Sequence, residues 1–188
     1  LNMSKKNSSV NLKNGFKNYK DLSNIFQSFK NKLDSLNKKS YTVGVSGGPD
    51  SLALVALTSA YLHTKKTKFY YVLVDHNIRK NSANEAKQVK NLLKKNKINL
   101  KIIVNKKKIT KNIQGQARNI RYEILSNYCK KNKIKTLLTA HNLEDQVETF
   151  FIRLSRGSGL RGLSSMNSLS KIDNKINLFR PLLNTKKK

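Results

Sequence analysis

From residue 21 to residue 36 the apolar side chains Leu22, Ile25, Phe26, Phe29, Leu33 and Leu36 recur every three or four positions. That spacing is the stripe of one helical face, and it predicts a helix over 21–36. Beyond it the period changes. Short runs rich in β-branched and aromatic residues at 41–45, 69–74, 100–104 and 135–139 predict strands, and between them 50–63, 83–95, 113–131 and 143–154 keep helical spacing. Strands alternating with helices of this length imply an α/β fold, a parallel sheet with helices on both faces. In such a sheet ligands gather beyond the carboxyl ends of the strands, where loops lead into helices. The rule selects 46–51, 75–79 and 140–145, and all three are dense in polar and ionisable residues.

The 188 residues, 37% of them hydrophobic, suffice for one substantial core. Residues 1–20, LNMSKKNSSVNLKNGFKNYK, offer little to bury and read as a flexible basic leader, which leaves 21–188 as the folded domain. No apolar run has the length of a membrane span or the shape of a secretory signal, so the expected setting is the cytoplasm, or the stroma or matrix of an organelle, with no membrane partner. Cys129 is the single cysteine, which excludes an internal disulfide framework and any all-cysteine metal site built from this chain. The net charge of +29 points to a polyanion such as nucleic acid, although tracts such as Lys106-Lys107-Lys108 also fit a solvated face.

The first strand-end loop reads VSGGPDS. Two glycines at a strand-to-helix turn let backbone amides approach a ligand closely, and the helix amino terminus that follows adds oriented N–H donors. Pro49 loses nothing there, because a first-turn N–H has no intrahelical partner. Ser46 and Ser51 bring hydroxyl donors. Asp50 would repel a phosphate unless a Mg²⁺ ion is shared between them. The string is neither a Walker A motif nor the dinucleotide fingerprint, and two glycines alone also fit an ordinary capped turn.

SGGPDS is similar to the pyrophosphate-binding S-G-G-x-D-S loop of the N-type ATP pyrophosphatases (PP-loop superfamily), and further segments resemble those of its tRNA(Ile)-lysidine synthetase branch. They are Val74-Asp75-His76-Asn77-Ile78-Arg79 with Ser82 and Glu85-Ala86, the helix segment Gln116-Ala117-Arg118-Asn119-Ile120-Arg121-Tyr122, and Thr139-Ala140-His141-Asn142-Leu143-Glu144-Asp145-Gln146-Val147-Glu148-Thr149 running on through Gly162-Leu163. Arg180-Pro181-Leu182-Leu183 resembles the arginine–proline strand near the end of that family's catalytic domain. The likeness covers about residues 41–183. Asn142 and Glu144 depart from the family pattern within chemical type, and the family usually carries a further tRNA-holding domain after this strand.

The resemblance implies a Rossmann-like, adenine nucleotide alpha hydrolase-like ATPase domain and a ligase forming a carbon–nitrogen bond. ATP adenylates O2 of the wobble cytidine in an isoleucine tRNA with a CAU anticodon, then free lysine attacks C2 and expels AMP. It further implies ATP contacts from Ser46, Gly47, Gly48, Pro49, Asp50, Ser51, Val74, Asp75 and His76, with Asp50 and Asp145 as Mg²⁺ ligands. Arg118 or Arg121 would stabilise phosphate charge, His141 would hold a phosphate or the base, and Asp145 or Glu144 would take lysine's proton. Arg153, Arg156, Gly157, Ser158, Gly159 and Arg161 would form a phosphate-binding turn toward tRNA or ATP, or simply a helix exit with solvated arginines. A homodimer is compatible with this reading. A tRNA thiolase, or a basic RNA-binding module without turnover, are the alternatives; the thiolase normally needs paired cysteines.

Overall fold

The computed structural model describes residues 20–110, 112–159 and 166–186. The expected leader therefore lies outside the described residues apart from Lys20, and so does Arg161. The elements run α1 (Lys20–Leu36), β1 (Ser40–Val45), α2 (Pro49–Tyr61), β2 (Lys68–Asp75), α3 (Ser82–Lys95), β3 (Leu100–Val104), α4 (Ile113–Lys131), β4 (Thr136–Leu138), α5 (Leu143–Ser155), β5 (Leu169–Lys171) and β6 (Asn177–Phe179).

The strands join in one sheet of order β3-β2-β1-β4-β6-β5. All neighbours are parallel except the edge strand β5, which runs antiparallel to β6. From β1 the chain winds outward through β2 to β3, then returns to the other side of β1 to make β4. The order thus reverses between β1 and β4, and a sheet of this kind opens a crevice at the reversal.

The sequence pattern explains which face each helix covers. On one side Phe29 and Leu33 of α1, Leu54 and Val55 of α2 and Leu93 of α3 pack with Tyr41, Val43 and Leu73 of the sheet. On the other, Leu125 and Cys129 of α4 pack on Val72, Leu137 and Leu178. Alternate strand residues feed the two layers, as a pleat requires. Leu33 has no exposed surface, so its truncation to alanine costs about 2–5 kcal/mol. Helix α1 is also tied through Asp34, which accepts a hydrogen bond from Tyr61 Oη at 2.7 Å.

The carboxyl-terminal part differs from expectation. The strand lies at Asn177–Phe179, before the arginine–proline pair, and residues 181–184 form a turn. Pro181 has no N–H to give a ladder, which ends the pairing there. The turn is useful to its neighbour: Thr185 O accepts from Leu143 N at 3.1 Å and Leu183 O from Gln146 Nε2 at 3.1 Å, so it holds the start of α5.

Candidate functional site

The loop after β1 has a local reason for its two glycines. Gly47 sits at φ +86°, the left-handed region, and a Cβ there would lie 2.8 Å from Val89 Cγ2 of α3. Gly48 is the residue before α2, in extended backbone at φ −73°, and Pro49 opens the helix. A Cβ on Gly48 would meet only Ser46 Oγ, at 3.7 Å. The fold itself thus demands glycine at 47 and leaves 48 free to carry a side chain.

Ser51 takes a different role from the phosphate donor that the sequence suggested. Its buried hydroxyl accepts from the N–H groups of Ser46 (3.2 Å) and Gly47 (3.1 Å) and donates to Gly48 O at 2.9 Å. All its capacity is spent inside the loop, because a hydroxyl has one proton and two lone pairs. Ser51 braces the concave turn, and Ser46 is the more exposed hydroxyl.

The three strand-end loops meet in one cleft of about 680 Å³. Its walls include Ser46, Gly47, Gly48, Asp50 and Ser51 from the first loop, Val74, Asp75 and His76 from the second, and His141 and Asp145 from the third. Arg121 and Tyr122 of α4 close one side. Asp75 is 5% exposed and accepts Asn77 N–H at 2.9 Å, which fixes the turn after β2. His76 Nε2 accepts from Arg121 Nε at 3.4 Å; burial, and then the Arg121 charge, lower its pKa below the usual imidazole value, with Asp75 opposing.

His141 is the most perturbed group here. Burial first, then the positive charges of Arg180 and Arg118, bring its pKa down to about 4, with Asp145 opposing and Arg121 adding to the fall. It is neutral near pH 7. Its Nδ1 lies 3.0 Å from Thr139 Oγ1, so the imidazole is oriented from behind and offers a neutral hydrogen-bonding edge. Asp145 closes a capping box with Asn142: its Oδ2 accepts Asn142 N–H at 2.8 Å and Asn142 Oδ1 accepts Asp145 N–H at 3.1 Å. That pairing explains both the asparagine and the acid at the start of α5.

Other expected residues stand apart from the cleft. Arg118 lies over the Tyr122 ring, 5.4 Å from its centroid, and reaches the site through that ring and its field. Pro49 and Glu144 do not line the cleft, whereas Asp145 does. Gly157 has φ +68°, and Gly157 N–H and Ser158 N–H return to Leu154 O and Arg153 O. This is a left-handed helix exit. It places Arg153, Arg156, Gly157, Ser158 and Gly159 at the far end of the 13-residue α5, roughly 20 Å along the axis from its cleft-facing start. The residue that sequence reasoning overlooked is Arg180, 8% exposed beside Tyr122 and His141. The sequence marked it only as part of the Arg180-Pro181-Leu182-Leu183 segment, without a role in the site.

Among the described residues no three His, Cys, Asp or Glu side chains converge on a common point. Four carboxylates line the cleft, Asp50, Asp75, Glu85 and Asp145; Asp50 and Asp145, from the first and third loops, are hard oxygen donors of the kind Mg²⁺ takes in pairs beside phosphates. No helix among the described residues is long and apolar enough to cross a membrane.

Residues 20–188 match the family model described as a PP-loop domain. A tRNA(Ile)-lysidine synthase of Orientia tsutsugamushi is 42% identical over 146 residues, covering 77% of this chain and 33% of that protein. The enzyme of that name from Wolbachia pipientis wMel is 42% identical over 87% of the chain and 38% of its own length, and the chloroplastic one of Gracilaria tenuistipitata 36% over 88% and 52%. The chain thus spans between a third and about half of these relatives. Among solved structures, a U34-tRNA thiolase, NcsA, from Methanococcus maripaludis superposes with a TM-score of 0.71 at 19% identity, over 88% of this chain and 60% of the other. An NH3-dependent NAD synthetase from Campylobacter jejuni gives 0.51 at 17%, over 88% and 66%. At such identities the likeness is one of fold.

Proposed function

The chain belongs to the PP-loop domain family, and from that premise we propose that it carries the catalytic chemistry of a tRNA(Ile)-lysidine synthase. In this reading ATP adenylates O2 of the wobble cytidine of a CAU-anticodon isoleucine tRNA, and lysine then replaces AMP at C2. The observation that carries the reading is the single cleft formed by the three strand-end loops, with the Gly47–Gly48 turn and the start of α2 at its floor. The names of the relatives support the tRNA and lysine assignments.

The β- and γ-phosphates would sit on the turn of residues 46–51, held by first-turn amides of α2 and by Ser46, with Ser51 shaping the turn from within. The adenosine would lie against the end of β2 at Val74, Asp75 and His76. Attack by the cytidine oxygen forms a new bond to the α-phosphorus and breaks the bond to the departing pyrophosphate. Negative charge gathers on the phosphate oxygens in that step, and Arg121, with Arg118 behind Tyr122, supplies fixed positive charge. Asp50 and Asp145 would hold Mg²⁺, which when bound neutralises phosphate charge.

In the second step the lysine amine must lose a proton, since its usual pKa is about 10.4. Asp145 is the better base, because it lines the cleft and Glu144 does not. Neutral His141 would donate or accept a hydrogen bond without adding charge. For the thiolase reading, Cys129 of α4 is fully buried against the sheet, and burial raises its thiol pKa. Measuring AMP release with lysine, and separately with a sulfur donor, tests the choice: lysine-dependent release is expected, and sulfur-dependent release would replace the proposal.

A further inference from the structure

Arg180 carries a charge that no acid among the described residues answers. It directly follows β6, and its residue surface is 8% exposed. Nη1 donates to Asn167 O at 2.8 Å and Ser170 Oγ at 2.9 Å, both neutral acceptors, and Tyr122 supplies a third. Nε is buried and has no acceptor among the described residues. Among the described residues no carboxylate pairs with this guanidinium; the ion pairs present involve other cations.

A buried lysine or histidine can escape such a position by releasing its proton, as His141 does nearby. Arginine cannot, so the positive charge remains, and buried charges are paired in folded proteins. The surroundings deepen the imbalance, because Arg118 is also close. Arg180 is not itself part of the cleft lining, but it touches Tyr122 and acts on His141, which both are. Phe179 O accepts Thr139 N–H at 3.0 Å, so β6 ends beside the loop that carries His141.

We propose that Arg180 binds an oxyanion of a substrate, which completes its hydrogen bonding and its charge. The oxyanion is a nucleotide phosphate or an amino-acid carboxylate, and both offer the planar or forked oxygens that a guanidinium recognises. The identity of these two ligands rests on the ligase reading above; the unanswered charge does not. Pyrophosphate serves as the internal control, because its seat is the turn at residues 46–51.

The test measures binding of AMP, L-lysine and pyrophosphate by calorimetry to the full chain and to Arg180→Gln. The expected result is that one of AMP or L-lysine binds at least about tenfold more weakly to the variant while pyrophosphate is unchanged. The ligand that is lost tells which oxyanion Arg180 holds. Equal binding of both to a folded variant overturns the proposal. Should the variant not fold, the Arg180 Nε–H resonance of the unaltered chain decides. A shift on adding AMP or L-lysine, absent with pyrophosphate, supports the assignment, and no shift with either refutes it. Failure of the unaltered chain to bind ATP or pyrophosphate would instead strike the ligase reading.

Discussion

Replacing Gly48 by alanine separates what the fold needs from what a phosphate needs. Its backbone, φ −73° and ψ 163°, suits any residue, and the added Cβ would touch only Ser46 Oγ at an ordinary 3.7 Å. Stability should therefore stay within about 0.5 kcal/mol of the parent, or rise slightly as the unfolded chain loses freedom. Gly48 lines the cleft, however, so the methyl group would occupy the approach to the first-turn amides of α2. Losing one charge-assisted hydrogen bond costs about 1.5–3 kcal/mol, or roughly 10- to 150-fold in Kd for ATP. Gly47→Ala should behave differently. At φ +86° with Val89 Cγ2 only 2.8 Å away, it should lose about 1–3 kcal/mol of stability, lowering Tm by roughly 2–12 °C, as well as binding. Thermal melts with and without ATP measure both quantities. A folded Gly48→Ala that binds ATP like the parent would refute the cradle.

Further consequences follow from the same geometry. Ser51→Ala leaves the N–H groups of Ser46 and Gly47 without their acceptor, so stability should drop by about 1–3 kcal/mol and ATP affinity with it; an unchanged urea midpoint would show that the brace is unimportant. His141 has its pKa lowered from 6.5 to about 4, so the unfolded chain takes up the proton first; as pH falls from about 6.5 to about 4 the fold should lose up to roughly 3 kcal/mol. Urea denaturation at pH 7 and pH 4.5 should show that loss in the parent and less of it in His141→Asn, and equal losses would contradict the neutral imidazole. Asp145→Asn keeps an oxygen for Asn142 N–H, so the helix start should survive while lysine-dependent AMP release falls by about 100-fold or more. Full activity in that variant would remove Asp145 from the chemistry.

The sequence pattern was most legible where burial is periodic. The stripe of α1 and the strand-helix alternation through α5 emerged within a residue or two of their observed limits, because each element covers one face of a single sheet. The three-residue β5 and β6 were not legible, since so short a strand has no period and takes its place from its partners. The three loops that topology singles out do meet in one cleft. Individual side-chain roles were less accessible. Ser51 reads as a ligand donor, whereas its hydroxyl is turned into the loop, and the 157–159 segment reads equally as a phosphate-binding turn or a helix exit, while its N–H groups close the end of α5. Arg180 shows the limit most clearly: no string of letters tells a buried guanidinium with no acid beside it among the described residues from a solvated one.

The most direct test of the account is AMP formation from ATP and Mg²⁺ with an isoleucine tRNA transcript bearing a CAU anticodon, with and without lysine, alongside Asp50→Ala. The account predicts AMP release that needs both tRNA and lysine and disappears in the variant. Tight ATP and tRNA binding with no AMP formed under any of these conditions would contradict the claim that this chain performs the ligation.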